Sequence, residues 1–171
     1  RGWVAGTFAT VEAAQLDWLI RLNVTAPTLL AHAAVAGMAA RGAGAIVNIG
    51  SVVGLAPELF PGIYGATKSY MLAFSQALAA EFGPKGIFVQ AVLPGATRTE
   101  IWARSGRNVD DLPGVMEVGD LVDAALVGFE RREPVTIPPL PDAAQWETFE
   151  TARHAMRPGF TNAKPGSRYA A

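Results

Sequence analysis

The feature that most constrains this chain is a pair of short, uninterrupted apolar runs. Residues 45–50 read AIVNIG and residues 87–93 read IFVQAVL. Neither run alternates apolar with polar residues, which is typical of strands buried on both faces of a parallel sheet. Between them, residues 64–82 form a helical pattern that ends at Gly83 and Pro84. A strand, a helix and a second strand in this order predict an α/β fold with parallel strands and right-handed crossovers.

The rest of the chain continues this alternation of helices and strands. Apolar residues recur at steps of three and four over residues 11–40, which predicts a long helix, and Pro27 predicts a kink within it. The apolar surface of the 64–82 helix is wider than one stripe, so we expect one face against the sheet and another against a partner subunit. The 171 residues, half of them hydrophobic, suit a single domain over 1–171. The other predicted elements are a loop over 51–63, a helix over 118–131, a strand over 134–137 and a helix over 142–156.

The composition excludes several classes of function. Charged residues make up 17% of the chain and the net charge is −1, so no basic surface exists to hold nucleic acid. The absence of cysteine excludes disulfides, thiolate catalysis and cysteine-based zinc sites. His32 and His154 lack metal-ligand spacing, so we expect structural or surface histidines and no metal site. There is no run of about 18 apolar residues and no signal-peptide pattern, so we expect a cytoplasmic protein without a membrane span.

Tyr64 and Lys68 are the first candidates for chemistry. They lie four residues apart at the start of a predicted helix, so their side chains share one face. A phenol has a pKa near 10, too high for an efficient acid or base at neutral pH. An ammonium group ~5 Å away favours the phenolate by about 3 kcal/mol at an effective dielectric constant near 20. The pair therefore has the right energy to make a tyrosine an acid–base catalyst, although a surface lysine beside a half-buried tyrosine gives the same spacing.

Further polar residues follow the two predicted strands. Ser51 comes directly after the first strand, thirteen residues before the tyrosine, and Pro94 and Gly95 come directly after the second. The carboxyl ends of parallel strands share one edge, where open α/β sheets bind their ligands. The alternative interpretations are a serine that starts a turn and an ordinary exit from a strand. Asn23 lies four residues before Pro27 on an apolar helix, where it either bonds backbone freed by the proline or holds a water.

Four segments in this order resemble the short-chain dehydrogenases/reductases. They are LNVTAP (22–27), GAIVNIGSVVG (44–54), YGATK (64–68) and LPGATRT (93–99), and the similarity extends over residues 8–138. The resemblance implies a Rossmann-like parallel sheet with helices on both faces, of which this chain holds the C-terminal part. It also implies an NAD(P)-dependent oxidoreductase that transfers hydride reversibly between a nicotinamide cofactor and a carbonyl or alcohol.

The resemblance also implies a role for each matching residue. Tyr64 would be the acid–base catalyst, Lys68 would lower its pKa and bind the nicotinamide ribose, and Ser51 would hold the substrate oxygen. Asn23 would anchor a water of the proton relay. Valine is more usual in the family at one of the cofactor positions, where this chain has Thr97. The residues that would border the nicotinamide and a phosphate are Pro94, Gly95, Thr97 and Thr99.

The N-terminal motifs of the family are absent from the given sequence. Neither the glycine-rich turn T-G-x-x-x-G-x-G nor the N-N-A-G strand is present, although these carry the pyrophosphate and adenine contacts. Either the sequence is a fragment of a normal enzyme, which its start at Arg1 favours, or it is a catalytically impaired binding or regulatory protein. A serine hydrolase built on Ser51 is the weakest hypothesis, because the chain has no G-x-S-x-G elbow.

Residues 96–117 follow the second strand and are predicted to form a lid over the substrate. Phe60, Trp102 and Met116 are the candidate substrate residues, and they favour an apolar or aromatic carbonyl compound over a sugar phosphate. The same side chains would serve equally well to pack the lid onto the domain. We choose NADP over NAD as the cofactor, although no residue of the chain decides between them. The resemblance implies a homodimer or homotetramer built on the two long helices.

Overall fold

The computed structural model describes residues 7–60, 62–104 and 106–169, so Pro61 of the predicted loop and Ser105 of the predicted lid lie outside the described residues. Its sheet consists of three parallel strands, paired in the order β1, β2, β3. The carboxyl ends of β1 and β2 meet at one edge, because the strands are in register along their whole length. The predicted α/β class with parallel strands is confirmed. The strands are β1 (Gly44–Ile49), β2 (Ile87–Val92) and β3 (Val135–Thr136).

The helices follow the predicted periodicity closely. In chain order the described helices are α1 (Ala13–Ile20), α2 (Ala26–Arg41), α3 (Tyr64–Phe82), α4 (Ile101–Arg104), α5 (Val118–Glu130) and α6 (Ala143–Ala155). α3 has the predicted bounds, and α5 and α6 end within one residue of theirs. The predicted loop before α3 contains two short 3-10 turns, Val52–Gly54 and Pro57–Leu59. These turns lead the chain from the end of β1 back to the start of α3.

β2 is apolar because both of its faces are covered. On one face Val89 packs with Leu78 of α3 in the main hydrophobic core. On the other face the buried amide of Gln90 donates a hydrogen bond to the Ala125 carbonyl oxygen of α5 at 3.0 Å. Alternate side chains of a strand point to opposite faces of the sheet. Helices therefore lie on both faces of β2, as predicted.

β1 departs from its prediction, because only one of its faces is covered. Asn48 lies on the covered face, and its Nδ2 donates to Ser75 Oγ of α3 at 2.9 Å. On the opposite face Val47 is 45% exposed and Ile49 is 53% exposed. β1 is the edge strand of the described sheet. The prediction that residues 45–50 are buried on both faces is therefore wrong for this strand in the structure.

The kink predicted at Pro27 takes the form of a widened helical turn. Arg21–Thr25 form a π-helical turn between α1 and α2, and Pro27 lies in the first turn of α2. A proline cannot donate the N–H that a regular helical turn uses, and the widened turn directly precedes it. Such turns are frequent at functional sites. This one contains Asn23, whose side chain is buried.

The helical stretch Ala13–Arg41 is apolar enough, by length and composition alone, to cross a membrane, and 17% of its most apolar window is buried. A single helix of this kind gives weak support for a membrane span, because a helix packed in a protein core passes the same test. The Thr28 hydroxyl in this stretch contacts the Tyr70 hydroxyl of α3. This polar contact favours packing of the stretch on α3. The absence of a membrane span stays a prediction.

The chain divides into two compact units, one ending at Pro139 and the other beginning at Leu140. The first unit contains the sheet and α1 to α5. The second contains α6, whose first turn is capped by Asp142: the Asp142 Oδ1 accepts the Ala144 N–H at 2.9 Å. A short polar side chain is a favoured cap at this position because it satisfies an unpaired backbone donor. That the chain forms a single domain stays a prediction.

Candidate active site

Backbone hydrogen bonds hold the carboxyl ends of β1 and β2 side by side. The Gly50 N–H donates to the Val92 carbonyl oxygen at 2.7 Å, and the Val52 N–H donates to the Pro94 carbonyl oxygen at 3.0 Å. Ser51 lies between these two bonds and is only 7% exposed. Its Oγ also accepts a backbone N–H of the following 3-10 turn at 3.2 Å. Ser51 therefore caps a turn and lies at the carboxyl ends of β1 and β2, and its role toward a substrate stays a prediction.

Tyr64 and Lys68 meet Ser51 at this edge. Tyr64 is the first residue of α3, and the Ser51 side chain lies close enough to its phenol to act on the pKa of that group. Lys68 lies one helical turn later, with Nζ 5.7 Å from the centre of the Tyr64 ring. The structure thus brings together the three side chains that the sequence singled out for proton transfer.

Lys68 is anchored to the end of β1. Its Nζ donates to the Ile49 carbonyl oxygen at 3.2 Å. Burial lowers the pKa of Lys68, because desolvation disfavours the ammonium form. The hydrogen bond to Ile49 therefore fixes the amine relative to both the sheet and α3.

The pKa of Tyr64 shifts in the opposite direction to that expected from a neighbouring ammonium. Burial raises the pKa above its ordinary value, because desolvation disfavours the phenolate, and the hydrogen bond from Ser51 lowers it to a smaller extent. That Lys68 lowers this pKa stays a prediction. The Lys68 amine is engaged with Ile49 and is itself partly desolvated. At neutral pH the Tyr64 phenol therefore keeps its proton and can donate it.

Close backbone contacts fix the first turn of α3, a feature that the sequence analysis missed. A Cβ on Gly54 would lie 2.7 Å from the Lys68 carbonyl oxygen, and a Cβ on Gly65 would lie 2.7 Å from the Pro57 Cβ. The Ser69 Oγ donates to the Gly54 carbonyl oxygen at 2.7 Å. Both positions therefore need glycine, since only glycine permits such a close approach. No periodicity in the sequence marks these contacts, because they join segments that are separate along the chain.

Asn23 reaches the same turn through Thr67, which the sequence analysis also passed over. Asn23 Nδ2 donates to Thr67 Oγ1 at 3.1 Å, and Thr67 Oγ1 donates to the Tyr64 carbonyl oxygen at 2.8 Å. A threonine three residues into a helix commonly bonds back to the backbone in this way, which is the signal that would have identified it. The structure therefore connects Asn23 to the turn that carries Tyr64 and Lys68.

The predicted cofactor residues follow β2. Pro94 is buried and Gly95 is half-buried. Among the described residues, a Cβ on Gly95 would meet Pro139 ring atoms at 3.6 and 3.8 Å, which are ordinary contact distances, so packing does not require glycine here. A glycine without a packing reason fits the close approach of a ligand such as a nicotinamide group. Thr97 Oγ1 donates to the Gly95 carbonyl oxygen at 3.2 Å, and Thr99 is exposed further along the chain.

Contacts between its two ends hold the predicted lid, residues 96–117, together. Thr97 pairs with Met116 through a parallel bridge, and Trp102 Nε1 donates to the Thr97 carbonyl oxygen at 2.7 Å. Arg98 forms ion pairs at 2.8 Å with two carboxylates of the same segment. Trp102 and Met116 therefore help to hold the two ends of the lid together. This favours the packing interpretation for these two candidate substrate residues.

Phe60 lies directly beside the phenol. Its ring packs against the Tyr64 ring with centroids 5.2 Å apart and a tilt of 57°. The Arg107 guanidinium, from the lid, lies 5.8 Å from the centre of the Phe60 ring. Phe60 thus presents an apolar surface between the phenol and the lid, which suits a candidate substrate residue.

Two solved structures are similar to this chain over nearly its whole length. A short-chain dehydrogenase from Sphingobium yanoikuyae, solved in complex with NADPH, is 55% identical with a TM-score of 0.92, and the match covers 96% of this chain and 64% of that one. A bulky-bulky ketone specific alcohol dehydrogenase from Comamonas testosteroni is 50% identical with a TM-score of 0.87, and the match covers 98% of this chain and 64% of that one. Both structures have the fold of this chain, and both matches extend over nearly all of it.

Shorter matches come from curated relatives and from a family model. The very-long-chain 3-oxoacyl-CoA reductase of Mus musculus is 40% identical over 83 residues, which are 48% of this chain and 27% of that protein. The chain therefore spans less than two thirds of the length of each of these three relatives. The family model for short chain dehydrogenases matches residues 3–110, more than half of the chain. The chain belongs to the short-chain dehydrogenase family.

Proposed function

We propose that the natural-length protein is an NADP-dependent oxidoreductase that interconverts a bulky ketone and a secondary alcohol. The observation that carries the proposal is the meeting of Ser51, Tyr64 and Lys68 at the carboxyl ends of β1 and β2, where Lys68 Nζ lies 5.7 Å from the centre of the Tyr64 ring. Two similar structures support the cofactor and the substrate class, since one holds NADPH and the other is specific for bulky-bulky ketones.

In this mechanism Ser51 and Tyr64 hold the carbonyl oxygen of the substrate between two hydroxyl groups. Tyr64, protonated at neutral pH, donates its proton to this oxygen during reduction and takes it back during oxidation. Lys68 provides a positive charge close to the phenolate that remains after proton transfer. Asn23 anchors a water through which Tyr64 regains a proton. A bound nicotinamide supplies or accepts the hydride.

The residues that would hold this cofactor follow the two strand ends. Lys68 would bind the nicotinamide ribose through its amine, which lies at the end of β1. The residues that would border the nicotinamide and a phosphate are Pro94, Gly95, Thr97 and Thr99. Gly95 is the most informative of these, because a Cβ there would make only ordinary contacts with Pro139 and packing alone does not require glycine.

We expect Gly95→Ala to fold normally and to bind NADPH about tenfold more weakly, a loss of about 1.4 kcal/mol. A methyl group has room against Pro139 but occupies the space of the approaching ligand. Fluorescence titration with NADPH measures the affinity, and thermal unfolding monitors the fold. Gly119→Ala is the matched control, because nothing lies within 4 Å of its added Cβ. Equal NADPH affinities for Gly95→Ala and wild type would contradict this cofactor assignment.

The raised pKa of Tyr64 predicts different pH profiles for the two directions of reaction. Alcohol oxidation needs the phenolate, so its rate should rise with pH up to the alkaline limit of the protein's stability. Carbonyl reduction needs the protonated phenol, so its rate should stay constant between about pH 6 and pH 9. Initial rates in both directions across this range check the prediction. An oxidation rate that levels off below about pH 8 would contradict it.

The proposed substrate class is tested by comparing two ketones. We expect the natural-length protein to oxidise NADPH with a diaryl ketone at a kcat/KM at least about tenfold higher than with acetone. Phe60 supplies an apolar surface beside the phenol that a large aryl group fills better than a methyl group. NADPH binding without turnover of either ketone would instead favour a binding or regulatory protein.

We further propose that the protein is a cytoplasmic homodimer or homotetramer without nucleic-acid or membrane partners. Trp18, Ile20 and Leu29 are exposed on the helical stretch Ala13–Arg41, and a second copy of the chain would cover them. Light scattering of the natural-length protein measures the subunit number. A monomer at micromolar concentration would rule out the proposed assembly.

A further inference from the structure

We infer that Thr67 is a positioning residue: its hydroxyl fixes the amide orientation of Asn23 and the first turn of α3, and thereby the setting of Tyr64. Thr67 lies between Tyr64 and Lys68 in the chain and is 4% exposed, so its hydroxyl contacts neither solvent nor substrate. The inference rests on the proposed function, because Tyr64 and Asn23 act there in proton transfer.

The directions of the two hydrogen bonds at Thr67 determine how Asn23 is oriented. The single proton of the Thr67 hydroxyl is donated to the Tyr64 carbonyl oxygen at 2.8 Å. Thr67 Oγ1 can therefore only accept in its contact with Asn23, and an asparagine side chain donates only through its nitrogen. Asn23 Nδ2 lies 3.1 Å from Thr67 Oγ1, as this requires. The amide oxygen of Asn23 must then lie on the side away from Thr67.

This orientation matters because Asn23 and Lys68 line the same groove. The groove lies between α2 and β1, is open to solvent and has a volume of about 590 Å³, enough for several waters at ~30 Å³ each. By fixing the Asn23 side chain, Thr67 also fixes part of the groove wall beside the Lys68 amine.

Thr67 also fixes the turn itself from the buried side. Gly54, in the first 3-10 turn, contacts the backbone of Lys68, and Gly65 of α3 contacts Pro57 in the second 3-10 turn. Thr67 connects the first turn of α3 to Asn23 in the π-helical turn Arg21–Thr25. The first turn of α3 is therefore held between two segments that are distant in sequence. Loss of the Thr67 hydroxyl should therefore loosen both the Asn23 amide and the Tyr64 backbone.

Two substitutions in the natural-length protein separate the effect of the Thr67 hydroxyl from the effect of side-chain packing. Thr67→Val removes the hydroxyl and keeps a branched side chain, whereas Thr67→Ser keeps the hydroxyl. We expect Thr67→Val to lower kcat for ketone reduction about tenfold, with the KM for the ketone changed less than about twofold, and to shift the pH profile of alcohol oxidation. Thr67→Ser should stay within about threefold of wild type in kcat and keep its pH profile. A purely structural role would lower the Tm and leave the pH profile in place.

A second readout does not depend on activity. In wild type and Thr67→Ser, hydrogen exchange of the Asn23 side-chain amide, followed by nuclear magnetic resonance, should be slow, and in Thr67→Val it should be at least about tenfold faster. If Thr67→Val does not fold, Thr67→Ala removes the same hydroxyl and is interpreted in the same way.

The outcomes distinguish this inference from the proposed function. An inactive wild-type protein rejects the proposed function, and Asn23 exchange then still decides whether Thr67 orients the amide. If Tyr64→Phe is inactive while Thr67→Val matches wild type in kcat, pH profile or Asn23 exchange, the inference on Thr67 is overturned and the function stands. A Thr67→Ser protein as impaired as Thr67→Val also overturns it, because the methyl group would then be the part that matters.

Discussion

Replacing Tyr64 with phenylalanine should slow ketone reduction by about 10³-fold and leave NADPH affinity within about threefold of wild type. The loss corresponds to roughly 4 kcal/mol of transition-state stabilisation. Phenylalanine keeps the ring that packs against Phe60 at 5.2 Å, so the fold should persist. It removes the phenol proton that moves to the substrate oxygen in the proposed mechanism. The effect should therefore fall on kcat, since the proton moves only in the chemical step.

Single-turnover oxidation of NADPH measures this effect without interference from product release. Tyr70→Phe is the matched control, because Tyr70 lies on the same helix and its hydroxyl contacts Thr28 of α2. We expect that control to lose about 1 kcal/mol of unfolding free energy and to keep its activity within about threefold. Wild-type turnover by a pure Tyr64→Phe protein would contradict the assignment of the acid–base catalyst.

Gly54→Ala should both destabilise the protein and displace Lys68. The added Cβ would lie 2.7 Å from the Lys68 carbonyl oxygen and 2.8 Å from the carbonyl carbon, and these backbone atoms cannot rotate aside as a side chain would. The turn or α3 must therefore move, and the hydrogen bond from Ser69 Oγ to the Gly54 carbonyl oxygen should weaken with it. We expect a loss of about 1–3 kcal/mol in unfolding free energy. A displacement of ~1 Å at Lys68 should also cost about 10²-fold in kcat.

Chemical denaturation measures the first effect and steady-state kinetics of ketone reduction the second. Gly119→Ala again serves as the control, since an alanine in an exposed part of α5 meets no neighbour and should stabilise the helix by about 0.5–1 kcal/mol. A Gly54→Ala protein with wild-type stability and kcat would show that the contact between the turn and α3 yields easily. The glycine would then have no role in placing Lys68.

The strands and helices that the sequence predicts correctly are those with strong local signals. β2 has the continuous apolar pattern of a strand that is buried on both faces, and in the structure helices cover both of its faces. α3 begins at Tyr64 and ends before Gly83 and Pro84, where its helical pattern meets two helix-breaking residues. β1 has almost the same apolar pattern as β2, yet one of its faces is open. Local pattern shows that a strand can be buried, whereas its place in the sheet decides whether it is.

The candidate site shows the same division. Ser51, Tyr64 and Lys68 follow from their positions at strand and helix ends, and the structure brings them together. The contacts that hold them do not follow from the sequence, because Thr67 and Gly54 act across long separations in the chain. The pKa of Tyr64 was also beyond reach, since the sequence supplies the neighbouring charge but not the degree of burial that outweighs it.

The most direct test of the proton-transfer site is a titration of the Tyr64 ring, followed by nuclear magnetic resonance on the chain with labelled tyrosine. The chain contains three tyrosines, and Tyr64→Phe identifies the signal. Burial predicts a Tyr64 pKa above its ordinary value in wild type, and Ser51→Ala should raise it further by removing the hydrogen bond that favours the phenolate. An ordinary Tyr64 pKa that Ser51→Ala leaves unchanged would contradict the account, because the two hydroxyl groups would then not form one site.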